Sequence, residues 1–370
     1  MSNTRISHSA INKWMQCPKS YEYHYKQKLR EKSVTAFLAF GSGIDQALNA
    51  ILQDLKDNGS VSCNYKAEFD RIWETITINK RQYLLFDCTL VGYHKNDFNS
   101  EILQETDLEI INAKIEELAP QYKGKSLDEV KNDLQDKYSI RRVVTFPQEL
   151  HELYNIMNYL SLRRKAHLML ESYVKNIVPQ IEEVKEIQHK LELQSGDDVM
   201  VGYVDAIVKF KGNEHYSIMD NKTSGSPYDQ SKVATSQQLA LYCYATGLKH
   251  GSFAVMLKNI VMNRTKVCSV CKFDGTGGRH KTCANEVDGK RCNGEWTETV
   301  TPEAATQLFE DEIPEFEQHL VLDNIAEVND AIKANVFVRN LNACDNMFGN
   351  RCPYYDKCHK GKDDNLEVVE

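Results

Sequence analysis

Two carboxylates and one lysine, Asp205, Asp220 and Lys222, are the residues of this sequence best suited to chemistry. Asp205 falls within a run rich in β-branched residues (201–209), and Asp220 ends a second short apolar run that begins at residue 215. A turn-like KGNE segment separates the runs, so the pattern predicts two paired strands. Because alternate residues of a strand project from the same face, we expect Asp220 and Lys222 to project together.

This arrangement matches the needs of a metal-dependent phosphodiesterase. The carboxylates would hold Mg²⁺ or Mn²⁺, which prefer oxygen ligands. Such an ion lowers the pKa of a bound water and offsets charge that develops on the phosphate. The lysine would orient or deprotonate that water and stabilise the charged transition state. The pattern is short, and an edge hairpin with solvated charges is the alternative explanation.

Gln238 and Tyr242 extend the pattern, because they are four residues apart in a predicted helix and share one face. The complete arrangement, GYVDAIV…SIMDNKTSG…QLALY, resembles the core of the PD-(D/E)XK nucleases, in particular the RecB-type branch that includes CRISPR adaptation nucleases and phage exonucleases. The resemblance implies an α/β, restriction-endonuclease-like core sheet flanked by helices. It also implies Asp205 and Asp220 as metal ligands and Lys222 as the catalytic lysine. Gln238 and Tyr242 would support the site and the DNA backbone.

Asp45 occupies the position at which the resembled family usually has a metal-binding histidine, in a Gly-x-x-x-His segment. It lies in a glycine-punctuated stretch with a helical pattern, residues 37–52. An aspartate can supply a metal oxygen, so we expect Asp45 to join Asp205 and Asp220 as a ligand. The alternative is an acid in the first turn of a helix, stabilised by the helix dipole.

Composition and charge narrow the class of protein. The chain of 370 residues is 41% hydrophobic and 26% charged, and it has no apolar run long enough for a membrane span or a signal peptide. We therefore expect a cytoplasmic protein, and the family resemblance implies a bacterial or phage-infected cell. A formal charge of −8 argues against indiscriminate coating of DNA and leaves room for a local basic channel. The GKS tripeptide at 124–126 lacks the preceding glycine and strand of a phosphate-binding loop, so no use of ATP is expected.

Eleven cysteines are many for a reducing compartment, where disulfides are rare, so metal binding is the better explanation. Cys268, Cys271, Cys283 and Cys292 lie among glycine-rich turns with no apolar core, and four thiolates suit a closed tetrahedral Zn²⁺ site. His280 is an alternative to one of the thiols. The sequence leaves open whether this zinc ribbon contacts DNA or a protein partner.

Cys344, Cys352 and Cys358 form a second group near the end of the chain, one short of the usual four ligands. The ending CPYYDKC and the early Cys17-Pro18 pair resemble RecB-type nucleases in which a cysteine near the N-terminus completes an iron–sulfur cluster. The resemblance implies a [4Fe–4S] cluster with Cys17 as its fourth ligand, which would staple the two ends of the chain. The gap from Cys344 to Cys352 is longer than is usual in that family, so Cys344 matches least well, and zinc is the rival occupant.

These assignments divide the chain into five segments. They are the N-terminal part of the nuclease domain (1–60), an all-helical insertion (61–182), the catalytic core (183–263), the zinc ribbon (264–298), and C-terminal helices with the iron–sulfur cysteines (299–370). Strands are also predicted over 183–194 and 253–262. Thr301 as N-cap and Pro302 as first helical residue predict a helix start, with a helical pattern that runs to about residue 336 and is interrupted near Pro314.

Together these features predict a Mg²⁺- or Mn²⁺-dependent deoxyribonuclease, and the resemblance to the RecB-type branch favours an exonuclease that acts on DNA ends or single strands. A structure-specific endonuclease is the nearest alternative. A non-catalytic DNA-binding subunit of a recombination or repair complex, or a zinc-bearing adaptor, would belong to a different class. The complete set of Asp205, Asp220 and Lys222 argues against the non-catalytic subunit.

Overall fold

The computed structural model of the protein describes residues 5–32, 34–78, 81–84, 90–91, 99–137, 148–195, 198–345 and 351–369. The strands are β1 (Arg5–Ser7), β2 (Leu29–Glu31), β3 (Val34–Thr35), β4 (Thr75–Ile78), β5 (Arg81–Leu84), β6 (Leu90–Val91), β7 (Ile181–Ser195), β8 (Asp198–Phe210), β9 (Ser217–Ser224), β10 (His250–Cys268), β11 (Glu286–Val287), β12 (Lys290–Arg291), β13 (Trp296–Glu312) and β14 (Leu366–Val368). The helices are α1 (His8–Gln16), α2 (Pro18–Tyr21), α3 (Ala36–Asn58), α4 (Tyr65–Glu74), α5 (Glu105–Leu118), α6 (Leu127–Lys137), α7 (Gln148–Asn176), α8 (Ser231–Ala234), α9 (Gln237–Thr246), α10 (Glu315–Lys333) and α11 (Tyr355–Lys360).

A mixed central sheet of six strands confirms the α/β class. β7 pairs antiparallel with β8 along its length, β9 pairs antiparallel with β8, and β10 and β13 complete the sheet. β9 and β10 are parallel, because α9 carries the chain back across the sheet between them. Local signals delimit α9: the Ser236 hydroxyl accepts the N–H of Leu239 at its start, and Gly247 takes a φ of 73° at its end.

One edge of β8 has two different partners. β1 pairs in parallel with residues 199–201 and β9 pairs with residues 206–208, while β7 occupies the opposite edge. Residues 202–205 of β8 therefore face an opening between β1 and β9. α1 begins directly after β1, with the Ser7 hydroxyl accepting the N–H of Ala10 at 3.2 Å, so its first turn lies at this opening.

Helices cover both faces of the sheet. Met219 and Ala254 belong to one buried cluster with residues of α3, α4 and α7, whereas Ile218 and Val255 belong to another with residues of α1, α9 and α10. Adjacent strand residues point to opposite faces, so the two clusters are separate layers on either side of the sheet. None of the described helices is long and apolar enough to cross a membrane.

The four predicted core strands are confirmed, with different bounds. β9 begins at Ser217 and continues to Ser224, so Asp220 lies inside the strand rather than at its end. β10 runs on to Cys268 and pairs with β13 as far as Trp296. The two strands thus extend from the sheet as a two-stranded arm, and the segment between their ends carries the ribbon cysteines.

The helix predicted to start at Thr301 and Pro302 is wrong, because both residues lie in β13. β13 pairs antiparallel with β10, and Pro302 lies opposite Met262. Pairing between strands therefore overrides the local helix-start signal. Proline is tolerated here because β13 is the edge strand of the described sheet, where a missing N–H costs no ladder hydrogen bond. The helical pattern is realised only after Pro314, in α10.

The segment 61–182 is not all helical. α5 and α7 match the helical pattern of the sequence, but β4 and β5 form a hairpin between α4 and α5. α7 packs on α3, β10 and β13, and the buried Tyr173 hydroxyl donates a hydrogen bond to Asn221 Oδ1 at 3.2 Å. This segment therefore supplies part of the layer that covers the central sheet. The boundaries of the five segments stay predictions.

The two ends of the chain are tied together. β14 pairs with β2, and the Trp14 indole N–H donates to the carbonyl of Val336 at 3.2 Å. Tyr354 is buried between the ends: its hydroxyl donates to the carbonyl of Leu29 at 3.0 Å and lies 2.8 Å from Nδ1 of His24. These contacts bring the early and late cysteines into one region.

Tyr354→Phe should lower the free energy of unfolding by about 1–2 kcal/mol, because it removes the buried hydroxyl that donates to the Leu29 carbonyl and contacts His24 Nδ1. Chemical denaturation of the full-length protein measures this change. Tyr355→Phe is the matched control, since its ring stacks on His359 and its hydroxyl has no hydrogen bond to the described residues. Equal losses of stability in the two variants would contradict the role assigned to the Tyr354 hydroxyl.

Candidate active site

Asp205 lies on β8 at the opening between β1 and β9, and Asp220 lies on the adjoining β9. One carboxylate oxygen of Asp205 accepts the backbone N–H of Asn221 at 2.8 Å, which fixes this side chain against the neighbouring strand. Asp220 is only 2% exposed. The structure thus brings the two carboxylates of the sequence pattern together, one partly and one almost completely removed from water.

Lys222 projects from the same face of β9 as Asp220. Its Nζ lies 2.5 Å from Asp220 Oδ2 and donates to Gln238 Oε1 at 3.1 Å. Gln238 in turn donates from Nε2 to the Tyr242 hydroxyl at 3.2 Å, one turn further along α9. Gly202 lets the Tyr242 ring approach β8, because a Cβ atom there would lie 2.9 Å from that ring. A continuous chain of contacts from α9 therefore positions the ammonium group beside the carboxylates.

Burial and like charge dominate the electrostatics of the site. Burial and then the charge of Asp220 raise the pKa of Asp205 to about 7, and burial raises the pKa of Asp220. Burial is the largest single effect on Lys222 and lowers its pKa, but the charge and hydrogen bond of Asp220, together with the charge of Asp205, outweigh it and the net shift is upward. Although Lys222 is so close, Asp220 Oδ2 has no well-aligned hydrogen bond to any described residue. The site therefore holds more negative charge than its lysine offsets.

Asp45 reaches the site from α3. Burial and the charge of Asp220 raise its pKa, so it is within electrostatic reach of the other acids. Because α3 begins at Ala36, Asp45 lies well inside the helix, and its explanation as a first-turn acid is wrong. Gln188 on β7 places its amide Nε2 3.5 Å from Asp45 Oδ1 and 3.2 Å from Asn49 Oδ1.

Gln188 was not singled out by the sequence, because a glutamine in an alternating strand carries no sign of chemistry. Its φ of 50° is uncommon for a residue other than glycine. Such a conformation in the middle of a strand turns the side chain out of the regular alternation. Here it points the amide at Asp45, an example of local backbone strain next to a functional group.

His8 is a second residue that the sequence analysis missed. It is the first residue of α1 and therefore lies at the opening between β1 and β9. Burial, and then the charge of Lys222, lower its pKa to about 4, so the ring is neutral at pH 7. The Nδ1 atom of His8 lies 3.4 Å from Asn12 Nδ2, whereas its buried Nε2 atom has no hydrogen-bond partner in the described part of the chain. A neutral imidazole nitrogen is thus available at the entrance of the site.

The carboxylates fit a hard divalent cation. Mg²⁺ usually takes one or two protein carboxylates and keeps several waters. Asp205 and Asp220 supply two such groups, and Asp220 Oδ2 has the Lys222 ammonium beside it but no well-aligned hydrogen bond among the described residues. Within the described structure, the oxygens of Asp45, Asp205 and Asp220 do not form a group whose members all lie within 4.8 Å of one another. The three carboxylates therefore do not form one closely spaced set of three ligands among the described residues.

Four cysteines converge at the tip of the arm formed by β10 and β13. All four sulfurs lie within 4.8 Å of one another, with 3.6 Å between Cys268 and Cys292 and 3.5 Å between Cys271 and Cys283. Zn–S bonds of about 2.3 Å in a tetrahedral site place the sulfurs ~3.8 Å apart. The spacing therefore fits one zinc ion with four thiolates. His280, the alternative ligand, is not a member of this group.

The other four cysteines of interest, Cys17, Cys344, Cys352 and Cys358, line one small cavity between the ends of the chain. Cys344 Sγ also lies 3.4 Å from Nε2 of His359. Among the described residues, these four sulfurs do not meet the 4.8 Å spacing that the ribbon cysteines meet. An iron–sulfur cube needs wider spacing than a single ion, because its iron and sulfide atoms lie between the cysteines. Residues 346–350 of this loop lie outside the described residues.

Comparison with known proteins gives one match over nearly the whole chain. A family model described as "PD-(D/E)XK nuclease superfamily" matches residues 5–107 and 109–359. No curated protein matches the chain significantly. Among solved structures, the one described as "Crystal structure of SSO0001" is 15% identical, covers 68% of this chain and 97% of that chain, and has a TM-score of 0.25. That structural similarity is too low to carry an argument.

Mg²⁺ should raise the melting temperature of the protein, by an amount that grows between about pH 5 and about pH 8. A carboxyl group whose pKa is raised by folding stabilises the folded chain below its unfolded pKa of 3.8. This contribution is lost as the pH rises through the folded value, about 7 for Asp205. Mg²⁺ binds the ionised groups and offsets the loss, by about 2.7 kcal/mol at 100 times its Kd. Scanning calorimetry at each pH measures the rise.

Asp220→Asn tests whether the stabilisation comes from this site, because it removes a ligand charge and keeps the shape of the side chain. The variant should lose the Mg²⁺-dependent rise. Asp323→Asn, an exposed acid on α10, is the control and should keep it. If Asp220→Asn responds to Mg²⁺ as the wild type does, the ion binds elsewhere.

Proposed function

The chain belongs to the PD-(D/E)XK nuclease superfamily, and from this premise we propose that it is a Mg²⁺- or Mn²⁺-dependent deoxyribonuclease that hydrolyses phosphodiester bonds at DNA ends or in single strands. The observation that carries the proposal is the meeting of Asp205, Asp220 and Lys222 at the opening in the sheet. Membership of the RecB-type branch stays a prediction from the sequence motifs, as does a cytoplasmic location.

The residues of the site divide the work of hydrolysis between them. Asp205 and Asp220 hold the ion, which when bound lowers the pKa of a water and offsets charge on the phosphate. Lys222, whose ammonium form is favoured by Asp220, stabilises negative charge that develops on the phosphate oxygens. Gln238 and Tyr242 hold Lys222 in place through hydrogen bonds from α9. The lysine is thus already oriented before substrate arrives.

A groove beside the opening favours single strands or DNA ends as the substrate. It has a volume of about 300 Å³, and its lining includes Ser7, Tyr21, Tyr25, Lys190 and Tyr203. Tyr21 is buried, as expected for core packing, whereas Tyr203 is 52% exposed. An exposed tyrosine ring can stack on an unpaired base, and a lysine can contact the backbone that runs past it. Bases inside an intact duplex are not available for such stacking.

Asp205→Ala, Asp220→Ala and Lys222→Ala should each reduce DNA cleavage by at least ~100-fold, because each removes part of one charge-stabilising unit. Cleavage of end-labelled single- and double-stranded DNA with Mn²⁺, and with EDTA as the blank, measures the loss. Lys209→Ala is the matched control, since Lys209 lies on β8 and pairs at the surface with Glu182 at 3.1 Å.

Wild-type rates in the Lys222→Ala protein would refute the assignment of this lysine. The same assay on a circular single strand separates the two modes of cleavage. An exonuclease leaves the circle intact, whereas cutting of the circle would favour the endonuclease alternative. Absence of cleavage on every substrate would instead favour the non-catalytic DNA-binding subunit.

We further propose that the four ribbon cysteines bind Zn²⁺. The two strands between them, β11 and β12, have two residues each and are exposed. So small a segment buries too little apolar surface to fold alone, and a metal ion supplies the missing stability. The tip also exposes Val270 by 69% and Phe273 by 46%. Apolar side chains in this position favour a protein partner for the ribbon.

The terminal cysteines are proposed to hold a [4Fe–4S] cluster. Support comes from their shared cavity and from their spacing, which is wider than that of the ribbon group. The surrounding core is small: Tyr23, Leu29, Tyr354 and Leu366 are its buried members. A cluster bound to Cys17 and the three late cysteines would close a loop that spans most of the chain and reduce the entropy of the unfolded state.

Protein purified without oxygen or chelators should be brown and contain about four irons per chain, together with zinc. Cys271→Ser should lose zinc and keep the colour, because it touches only the ribbon. Cys17→Ala should lose the iron and keep the ribbon zinc, so each variant is the control for the other. Elemental analysis and visible absorption measure both. A colourless protein without iron would show that the terminal cysteines do not form an iron–sulfur site.

A further inference from the structure

His215, His250 and Glu310 form a second group of metal-type ligands away from both cysteine groups. Their ligand atoms all lie within 4.8 Å of one another. His215 precedes β9, His250 is the first residue of β10, and Glu310 lies near the end of β13. The register of the three strands brings them together, since Glu310 lies opposite Ser252, two residues after His250.

Contacts within the group hold the donor atoms in place. Glu310 Oε1 lies 3.2 Å from Nε2 of His215, and Glu310 Oε2 accepts the Asn213 amide N–H at 2.6 Å. The rings of His215 and His250 are stacked, with centroids 3.5 Å apart and an angle of 16° between their planes. The three side chains therefore lie close enough together to share one ion.

We propose that His215, His250 and Glu310 bind one divalent transition-metal ion such as Zn²⁺. Two imidazole nitrogens and one carboxylate oxygen are a common zinc ligand set, and a water or another ligand completes the coordination. The Asn213 amide orients the carboxylate from behind, as the outer partners of metal ligands do. The neighbouring acids Asp311 and Glu312 add negative charge near the ion.

This site is separate from the nuclease centre in place and in chemistry. Asp220 pairs with Phe253, which follows His250 by three residues. The two sites are therefore about 10 Å apart along the strand. Imidazole suits zinc and similar ions, whereas Mg²⁺ prefers oxygen ligands. An ion bound here would link the starts of β9 and β10 to the end of β13, and so brace the sheet at the end opposite the ribbon.

Zinc binding to the full-length protein tests the proposal. Protein loaded with zinc, kept in excess Mg²⁺ to occupy the carboxylate site, and dialysed free of unbound metal should retain one zinc more than the His250→Ala protein, measured by elemental analysis. Glu310→Gln keeps a side chain that Asn213 can contact but removes the charged ligand. This variant should lower the affinity for this one zinc at least ~10-fold, as measured by calorimetric titration. His319→Ala is the matched control, because His319 lies near an acid, Glu315, at 3.6 Å on an exposed helix face.

The wild type and the His319→Ala protein are expected to bind the same number of zinc ions. Equal zinc content and affinity in the wild type, His250→Ala and Glu310→Gln would overturn the proposal and show that the group is a hydrogen-bonded network only. The experiment is independent of DNA cleavage. A protein without nuclease activity that still loses one zinc on substitution of His250 would support this site and refute only the proposed activity.

Discussion

The burial of two like charges at the opening of the sheet is the constraint on which the rest of the structure depends. Water screens neighbouring carboxylates at a surface, but Asp205 and Asp220 have little water around them. The Asn221 N–H and the Lys222 ammonium compensate for part of this charge. What remains uncompensated makes the site attractive to a divalent cation, and it requires that β8 and β9 keep a fixed separation.

The two helical layers maintain that separation from opposite faces. On one face, Tyr173 of α7 contacts Asn221, the residue between the acid and the lysine of β9. On the other, α9 reaches Lys222 through Gln238. The site nevertheless stays open, because β8 has no strand partner on that edge over residues 202–205, between β1 and β9. Rigid faces and an open edge suit a centre that must hold charges apart and still admit a long polymer.

The two groups of cysteines occur where this protein has little apolar core of its own. The ribbon tip has only two-residue strands and the joined chain ends have a cluster of four buried residues. Both places carry groups of cysteines. Metal binding by such residues is a usual way in which small units gain stability that burial alone does not provide. The His215 group differs, because it lies on a well-packed sheet, where an ion adds stability without being needed for folding.

The sequence by itself determined the α/β class and the four core strands. It also determined that Asp220 and Lys222 share one face of a strand, and that Gln238 and Tyr242 share one face of a helix. These features follow from the periods of strand and helix, which are local. The helix start predicted at Thr301 failed, because pairing with β10 depends on residues far away in the chain.

Only the tertiary structure decided that β1 and β9 share an edge of β8, which brings His8 to the entrance of the site. It also decided that Gln188 contacts Asp45, which is 143 residues away in the sequence. Contacts of that range depend on the path of the whole chain, so no local pattern records them.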